Sequence, residues 1–287
     1  MRTVVITGGN SGLGFETAKK VAAREGYRVV LACRNPEKAR QAADEIVSET
    51  GNENVATLAL DTASLASVRE AAAAYEASGF GEIYALLLNA GISGMHQGTT
   101  ADGMDLVFET NHLGHFLLVN LLLEQIADGG KIFSTTSDMH DSPMGKMSWP
   151  GTEALAYPDG KSFDMRMRYS YSKLANIYFI HELARRLEAG GKRTTANAFN
   201  PGMMQTNFAK VNKAQAAMTK RMMPHRVGDL ATSSDAYAQL VLDDALATTS
   251  ANYYDRSITA VASSDLSYND ENARELWDTS WRLCGLA

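Results

Sequence analysis

Short apolar runs and longer amphipathic stretches alternate along this chain from its first residues. The runs 3–7 (TVVIT), 28–33 (RVVLAC), 55–60 (VATLAL), 84–89 (YALLLN), 131–136 (KIFSTT) and 194–199 (TTANAF) read as strands. Between them, 12–25, 37–49, 64–77, 104–126 and 168–190 carry helical periodicity. Near-continuous apolar strands separated by helices predict a parallel sheet covered on both faces. Right-handed crossovers then give a doubly wound α/β fold, expected as a single domain over 1–287. Two stretches, 138–167 and 203–228, break the rhythm and read as inserted substrate loops. The tail from Asn269 predicts a helix, with Asp270 and Glu271 in its first turn, Arg282 near its end and Gly285 beyond. Its Ala273, Leu276, Trp277 and Trp281 share one face, so it is expected to pack on the body.

Composition narrows the class. A formal charge of −6 and a pI near 5.6 argue against a basic nucleic-acid surface. Two cysteines, Cys33 and Cys284, support neither a disulfide framework nor a thiolate metal cage, which suits a reduced compartment. The greasiest stretch, 116–126, is interrupted by Asn120 and Glu124 and reads as a buried helix rather than a membrane span. The start MRTVVITGG runs straight into a strand with no signal-peptide pattern. The expectation is a soluble, cytoplasmic protein.

Thr7 is followed by Gly8-Gly9-Asn10-Ser11-Gly12-Leu13-Gly14, between the first strand and the first helix. Glycines there permit a tight turn, and the helix N-terminus offers free N–H groups to a pyrophosphate. Their spacing is a variant of the dinucleotide fingerprint. A cofactor site selective for NAD would carry a carboxylate at the end of the second strand. Here Arg34 stands there and Lys38 follows one turn later, a pair that would attract a 2′-phosphate and so predicts NADPH. The other reading of both is solvated surface charge. Asp61 and Thr62 end the third strand; Asp61 either accepts from an adenine amino group or caps the next helix. Asn89-Ala90-Gly91 ends the fourth strand, where the backbone either runs along the cofactor ribose or simply turns.

Tyr169 and Lys173 lie four residues apart and share one helix face. A phenol titrates near 10, and an adjacent ammonium together with a positive nicotinamide ring would bring it toward neutrality as an acid/base. Tyr171 offers a second phenol without a lysine four residues on. Ser137, just beyond the fifth strand, is placed to bind a substrate oxygen, with Ser134, Thr135 and Thr136 as near alternatives. Asn111 could hold a water or a backbone carbonyl beside Lys173. His112 and His115 read as packed helix residues, and no metal set is expected.

Together TGGNSGLG, Asn89-Ala90-Gly91, Asn111, Ser137, Tyr169/Lys173 and Pro201-Gly202 resemble the short-chain dehydrogenase/reductase superfamily. That resemblance implies an Asn–Ser–Tyr–Lys tetrad: Tyr169 as general acid/base, Lys173 on the nicotinamide ribose, Ser137 orienting substrate and Asn111 on a proton-relay water. It also implies that Thr206 bonds the nicotinamide carboxamide. ACRNPEKA, DTASLASVR, TADGMDLVFETNHLGHFLL, YSYSKLAN and the ENARELWDTSWRLCGLA tail look like the retinol dehydrogenase and light-dependent protochlorophyllide oxidoreductase group. Protochlorophyllide reductases carry a cysteine directly after Pro-Gly, where this chain has Met203, which removes the thiol from a light-driven reaction.

Ten of the 13 methionines fall in the two inserted stretches. Met139, Met203, Met204 and Phe208 are the candidates for an adaptable wall around a large hydrophobic substrate, unless the loops use their apolar residues as small cores of their own. The expected function is NADPH-dependent hydride transfer between nicotinamide and a bulky hydrophobic ketone, aldehyde or alcohol. Protochlorophyllide-type double-bond reduction and a non-catalytic NADPH-binding sensor are the alternatives. A homo-oligomer is compatible with the sequence.

Overall fold

The computed structural model describes residues 1–203 and 226–286. Eight strands form one sheet in the order β3-β2-β1-β4-β5-β6-β7-β8. These are β1 (Arg2–Thr7), β2 (Tyr27–Cys33), β3 (Val55–Ala59), β4 (Ile83–Leu88), β5 (Ile126–Thr135), β6 (Thr195–Asn200), β7 (Tyr253–Asp255) and β8 (Ala260–Val261). Every pairing is parallel except β7 with β8. Strand order reverses between β1 and β4, so their C-terminal ends open the crevice in which such sheets bind ligands. Val4, Val5, Ile6, Leu86 and Leu87 are fully buried, as expected of strands covered on both faces.

Helices α1 (Gly12–Ala22), α2 (Pro36–Thr50), α3 (Leu65–Ala77), α4 (Leu106–Gln125), α5 (Thr152–Ala156), α6 (Arg168–Ala189), α7 (Leu230–Leu242) and α8 (Asp270–Leu283) are described. Buried residues of α1, α2 and α7 share one apolar layer, and those of α3, α4, α6 and α8 share the other. By length and composition α4 could cross a membrane, with mean hydropathy 1.3, but 78% of that window is buried inside the fold. It is a core helix. Its course is interrupted by a π-turn at Glu109–Leu113.

The six expected strands are present, although β5 begins at Ile126 rather than Lys131. Strands β7 and β8 and helix α7 have no counterpart in the sequence reading. Ser233 and Ser234 are both buried in α7, where their polarity hides its apolar face. Ser233 is accommodated because its Oγ donates to the Pro201 carbonyl at 2.8 Å. In the tail, Ala273, Leu276 and Trp277 are buried as expected, whereas Trp281 stays at the rim, stacked on Trp277.

The 138–167 stretch serves mainly as packing. Met147, Trp149 and Phe163 lie against the main core, and Met167 is part of it. Trp149 Nε1 donates to Glu275 on α8 at 2.8 Å, and Thr152 donates to the same carboxylate through its N–H and its hydroxyl. An adaptable methionine wall is therefore not what most of this insertion builds, because α6 and α8 offer its apolar residues a dry surface.

Candidate active site

The glycine turn is shaped by close approach. Gly8 and Gly12 have φ of +65° and +57°, which favour glycine. A Cβ on Gly14 would stand 2.5 Å from Asn89 Nδ2 and 2.7 Å from the Gly8 carbonyl. Ser11, at the N-cap of α1, makes no side-chain cap hydrogen bond, so the first-turn amides stay available to an anion. This cradle fits the pyrophosphate of a dinucleotide.

Arg34 and Lys38 are both exposed at the start of α2. Asn35 caps that helix through the Lys38 N–H at 2.9 Å, which fixes Arg34 and Lys38 on either side of one turn. Among the described residues neither side chain has an ion-pair partner, as a phosphate-binding pair requires. The cap suggested for Asp61 belongs to Ser64, which accepts from Ser67 N–H at 3.3 Å. Asp61 instead accepts from Ala63 N–H two residues on, at 3.0 Å, and remains half-buried at the crevice rim. Thr62 is buried, and a Cβ on Gly114 would lie 2.1 Å from its carbonyl oxygen. The end of β3 is thereby seated against α4.

Segment 89–92 is pinned at both ends. The Thr7 hydroxyl accepts from Asn89 N–H at 2.8 Å and Ala90 N–H at 2.9 Å. Asn111 Oδ1 accepts from Ile92 N–H at 2.8 Å, and its Nδ2 donates to the Ile92 carbonyl and to Ser172 Oγ, each at 3.0 Å. Ser172 in turn donates to the Tyr169 carbonyl at 2.8 Å. The Asn111 amide therefore holds the backbone at Ile92 and the Tyr169 helix. Thr7, Ile92, Ser172 and Gly94 were not singled out in the sequence. A Cβ on Gly94 would meet Tyr169 Cβ at 2.9 Å, which explains a glycine there.

Ser137, Tyr169 and Lys173 converge at the C-terminal rim of β5. The Ser137 hydroxyl lies close enough to the Tyr169 phenol to lower its pKa. Lys173 Nζ donates to the Thr135 carbonyl at 2.9 Å and lies 5.6 Å from the Tyr169 ring centroid. Thr136 donates to the Lys173 carbonyl instead of facing the site, and Tyr171 is packed against Trp149 and Phe163. His140 braces the Ser137 turn, with Nδ1 2.7 Å from the Ser137 carbonyl and Nε2 accepting from Ser264 N–H at 3.1 Å.

Electrostatics differ from the sequence expectation. Burial raises the Tyr169 phenol above its usual value, Ser137 lowers it, and the Asp138 carboxylate raises it. Burial also brings the Lys173 ammonium down to about 7. Desolvation outweighs the lowering of the phenol expected from the adjacent ammonium, because both groups leave water together. A positive charge arriving in the crevice would lower the phenol again.

Glu109, in the π-turn, is raised to about 8 by burial; it accepts from the Thr100 hydroxyl, and Asp102 raises it further. The unfolded chain loses this proton near 4.5 and the folded one keeps it to about 8, so stability falls with rising pH across that window. Glu109→Gln, which mimics the protonated acid, should raise Tm at pH 8 by roughly 2–4 °C or more and flatten its pH dependence. Thermal scans at pH 5 and 8 check this; a lower Tm for the variant at pH 8 would contradict it.

Pro201-Gly202 closes the crevice beside β6. Met203 N–H donates to the Arg226 carbonyl at 2.7 Å, and the Arg226 guanidinium reaches the Asp138 carbonyl at 3.3 Å and Met139 Sδ at 3.7 Å. Met139 and Met203, both half-buried, are thus tied to the Ser137 turn. Met204, Thr206 and Phe208 lie outside the described residues.

The sequence matches the short chain dehydrogenase family over residues 2–152. The chain belongs to the short-chain dehydrogenase/reductase family. It is 33% identical to human retinol dehydrogenase 11 over 287 residues, covering 99% of this chain and 86% of that protein. Its fold resembles the crystal structure of an uncharacterized protein from Mycobacterium paratuberculosis, with TM-score 0.71, 30% identity and coverage of 99% and 94%. It also resembles a short chain dehydrogenase from Burkholderia cenocepacia solved in complex with NADP, with TM-score 0.68, 23% identity and coverage of 90% and 97%. The chain is an NAD(P)-dependent oxidoreductase of the retinol dehydrogenase group.

Proposed function

We propose that this short-chain dehydrogenase/reductase uses NADPH to interconvert a bulky hydrophobic carbonyl and its alcohol. The observation that carries the reading is the convergence of Ser137, Tyr169 and Lys173 at the rim of the crevice. When bound, the nucleotide supplies the hydride. Ser137 holds the substrate oxygen against the Tyr169 phenol, which gives up its proton to that oxygen in reduction and takes one in oxidation. Lys173, held on the Thr135 carbonyl, would hold the nicotinamide ribose and stabilise the phenolate. Asn111 keeps segment 89–92 and the Tyr169 helix in register, and Arg34 with Lys38 receives the 2′-phosphate.

A nucleotide sensor would have no use for a lysine buried beside a phenol, since burying an ammonium is costly. Met203 has no proton to give, which favours chemistry that needs no light. The hydrophobic substrate is supported by the retinol dehydrogenase relatives and by Met139 and Met203 beside Ser137. The test is a carbonyl panel with NADPH in darkness: retinaldehyde, steroid ketones and aryl ketones against short aliphatic aldehydes. Bulky apolar members should give kcat/KM at least about tenfold above the short ones, since each buried methylene contributes about 0.8 kcal/mol. Preference for the short aldehydes would overturn the substrate class.

A further inference from the structure

His115 is fully enclosed between β1 and the catalytic helix, and nothing in the proposed chemistry uses it. Its Nε2 stands 2.9 Å from Thr7 Oγ1, and its Nδ1 3.3 Å from the Asn111 carbonyl oxygen. Those two neighbours are the residues that pin segment 89–92 at its opposite ends. A threonine hydroxyl has one proton and two lone pairs. Both lone pairs of Thr7 are taken by the N–H groups of Asn89 and Ala90. Its proton must therefore go to His115 Nε2 or to the Leu87 carbonyl, which lies farther away at 3.3 Å. An N–H on His115 Nε2 would face an oxygen with no lone pair left. The imidazole must then accept at Nε2 and donate from Nδ1 to the Asn111 carbonyl.

We propose that His115 is a positioning residue, fixed as the neutral Nδ1–H tautomer, that joins the Thr7 and Asn111 anchors into one frame around the cofactor-facing segment 89–92. The linkage rests on the nicotinamide-nucleotide reading of that crevice. The hydrogen bonds run in one direction: Asn89 and Ala90 N–H to Thr7, Thr7 O–H to His115 Nε2, and His115 Nδ1–H to Asn111. Asn111 closes the frame by holding both backbone polar groups of Ile92. A shift of the glycine-turn side would thus be passed to Asn111, and through Ser172 to the Tyr169 helix. Protonation would break the chain at Thr7. It is opposed by burial and by the Lys173 ammonium, while the Asn111 carbonyl alone favours it, and the balance holds the ring near 3. His112, one turn earlier on α4, is also buried and neutral, bonded to Ser280 instead.

Two measurements test the frame. In the intact cofactor-free protein labelled with nitrogen-15 histidine, long-range proton–nitrogen correlation reads the tautomer of each of the six histidines. His115 is assigned as the signal missing from His115→Phe. It should show a protonated Nδ1 and a bare Nε2, unchanged between about pH 5.5 and 8.5. An Nε2–H tautomer, or a titration within that range, would overturn the proposal. The second measurement is NADPH affinity, read by nucleotide fluorescence, for Thr7→Val, His115→Phe and the double variant. Each single change should raise Kd about three- to tenfold, and the double should be no weaker than the worse single. Unchanged affinity in His115→Phe, or losses that multiply, would overturn it. If the wild-type protein binds neither NADPH nor NADH, the cofactor reading fails, while the tautomer still decides the hydrogen-bond frame.

Discussion

Tyr169→Phe should bind NADPH as tightly as the wild-type protein and lose about 10²- to 10⁴-fold in kcat. The ring keeps its place, because Gly94 leaves room for its Cβ and Lys173 lies 5.6 Å from its centroid whether or not the hydroxyl is present. What disappears is the hydroxyl that, in the proposed reaction, exchanges a proton with the substrate oxygen. Lys173 is held by the Thr135 carbonyl at 2.9 Å, so it does not depend on the phenol for its position. Tyr171 cannot substitute, since its ring packs between Trp149 and Phe163 on the other side of the helix. Fluorescence titration with NADPH, paired with steady-state turnover, separates the two effects. Turnover within about threefold of wild type would remove the phenol from the chemistry.

Arg34→Ala should weaken NADPH by about tenfold or more and leave NADH nearly unchanged. Both cations stand exposed at the start of α2, on the crevice side where β2 ends, and neither is engaged by a carboxylate among the described residues. A 2′-phosphate would meet a guanidinium and an ammonium there; a 2′-hydroxyl offers them only a neutral acceptor. Because the Asn35 cap uses its own side chain and the Lys38 backbone, removing the Arg34 side chain does not loosen α2. High salt should shrink the difference between the cofactors, as expected for exposed charges. Equal losses for NADPH and NADH in the variant would remove the 2′-phosphate assignment.

Much of this site is legible in the sequence because local geometry carries it. Tyr169 and Lys173 share a face by helix periodicity alone, and Gly8, Gly12 and Gly14 announce a turn that other residues cannot make. The parallel strands are legible for the same reason, since a strand covered on both faces must be apolar nearly throughout. What could not be read depends on partners far away in the chain. Asn111 looks like a water-holding amide until Ile92 and Ser172, the latter 61 residues on, take both its N–H groups and one lone pair of its oxygen. The 138–167 insertion looks like a substrate loop until Met147, Trp149 and Phe163 pack on the core and Glu275, 126 residues beyond Trp149, fastens it to α8. Asp61 resembles a cap because it precedes a helix, but Ser64 is one residue from the helix start and takes that role. Strand β7 has three residues, too few to show a period, and finds its place only beside β6. The lowering of the phenol expected from the adjacent ammonium is outweighed by enclosure, because burial penalises the charged form of each group.

Hydride should pass from NADPH to a hydrophobic carbonyl without light. NADPH carrying deuterium at the transferred position of the nicotinamide, incubated with the wild-type protein and retinaldehyde in darkness, answers this by mass spectrometry of the alcohol. The product should carry one deuterium on the former carbonyl carbon, with Tyr169→Phe forming about 10²-fold less of it or lower still. Unlabelled alcohol, or conversion that appears only under illumination, would contradict the account.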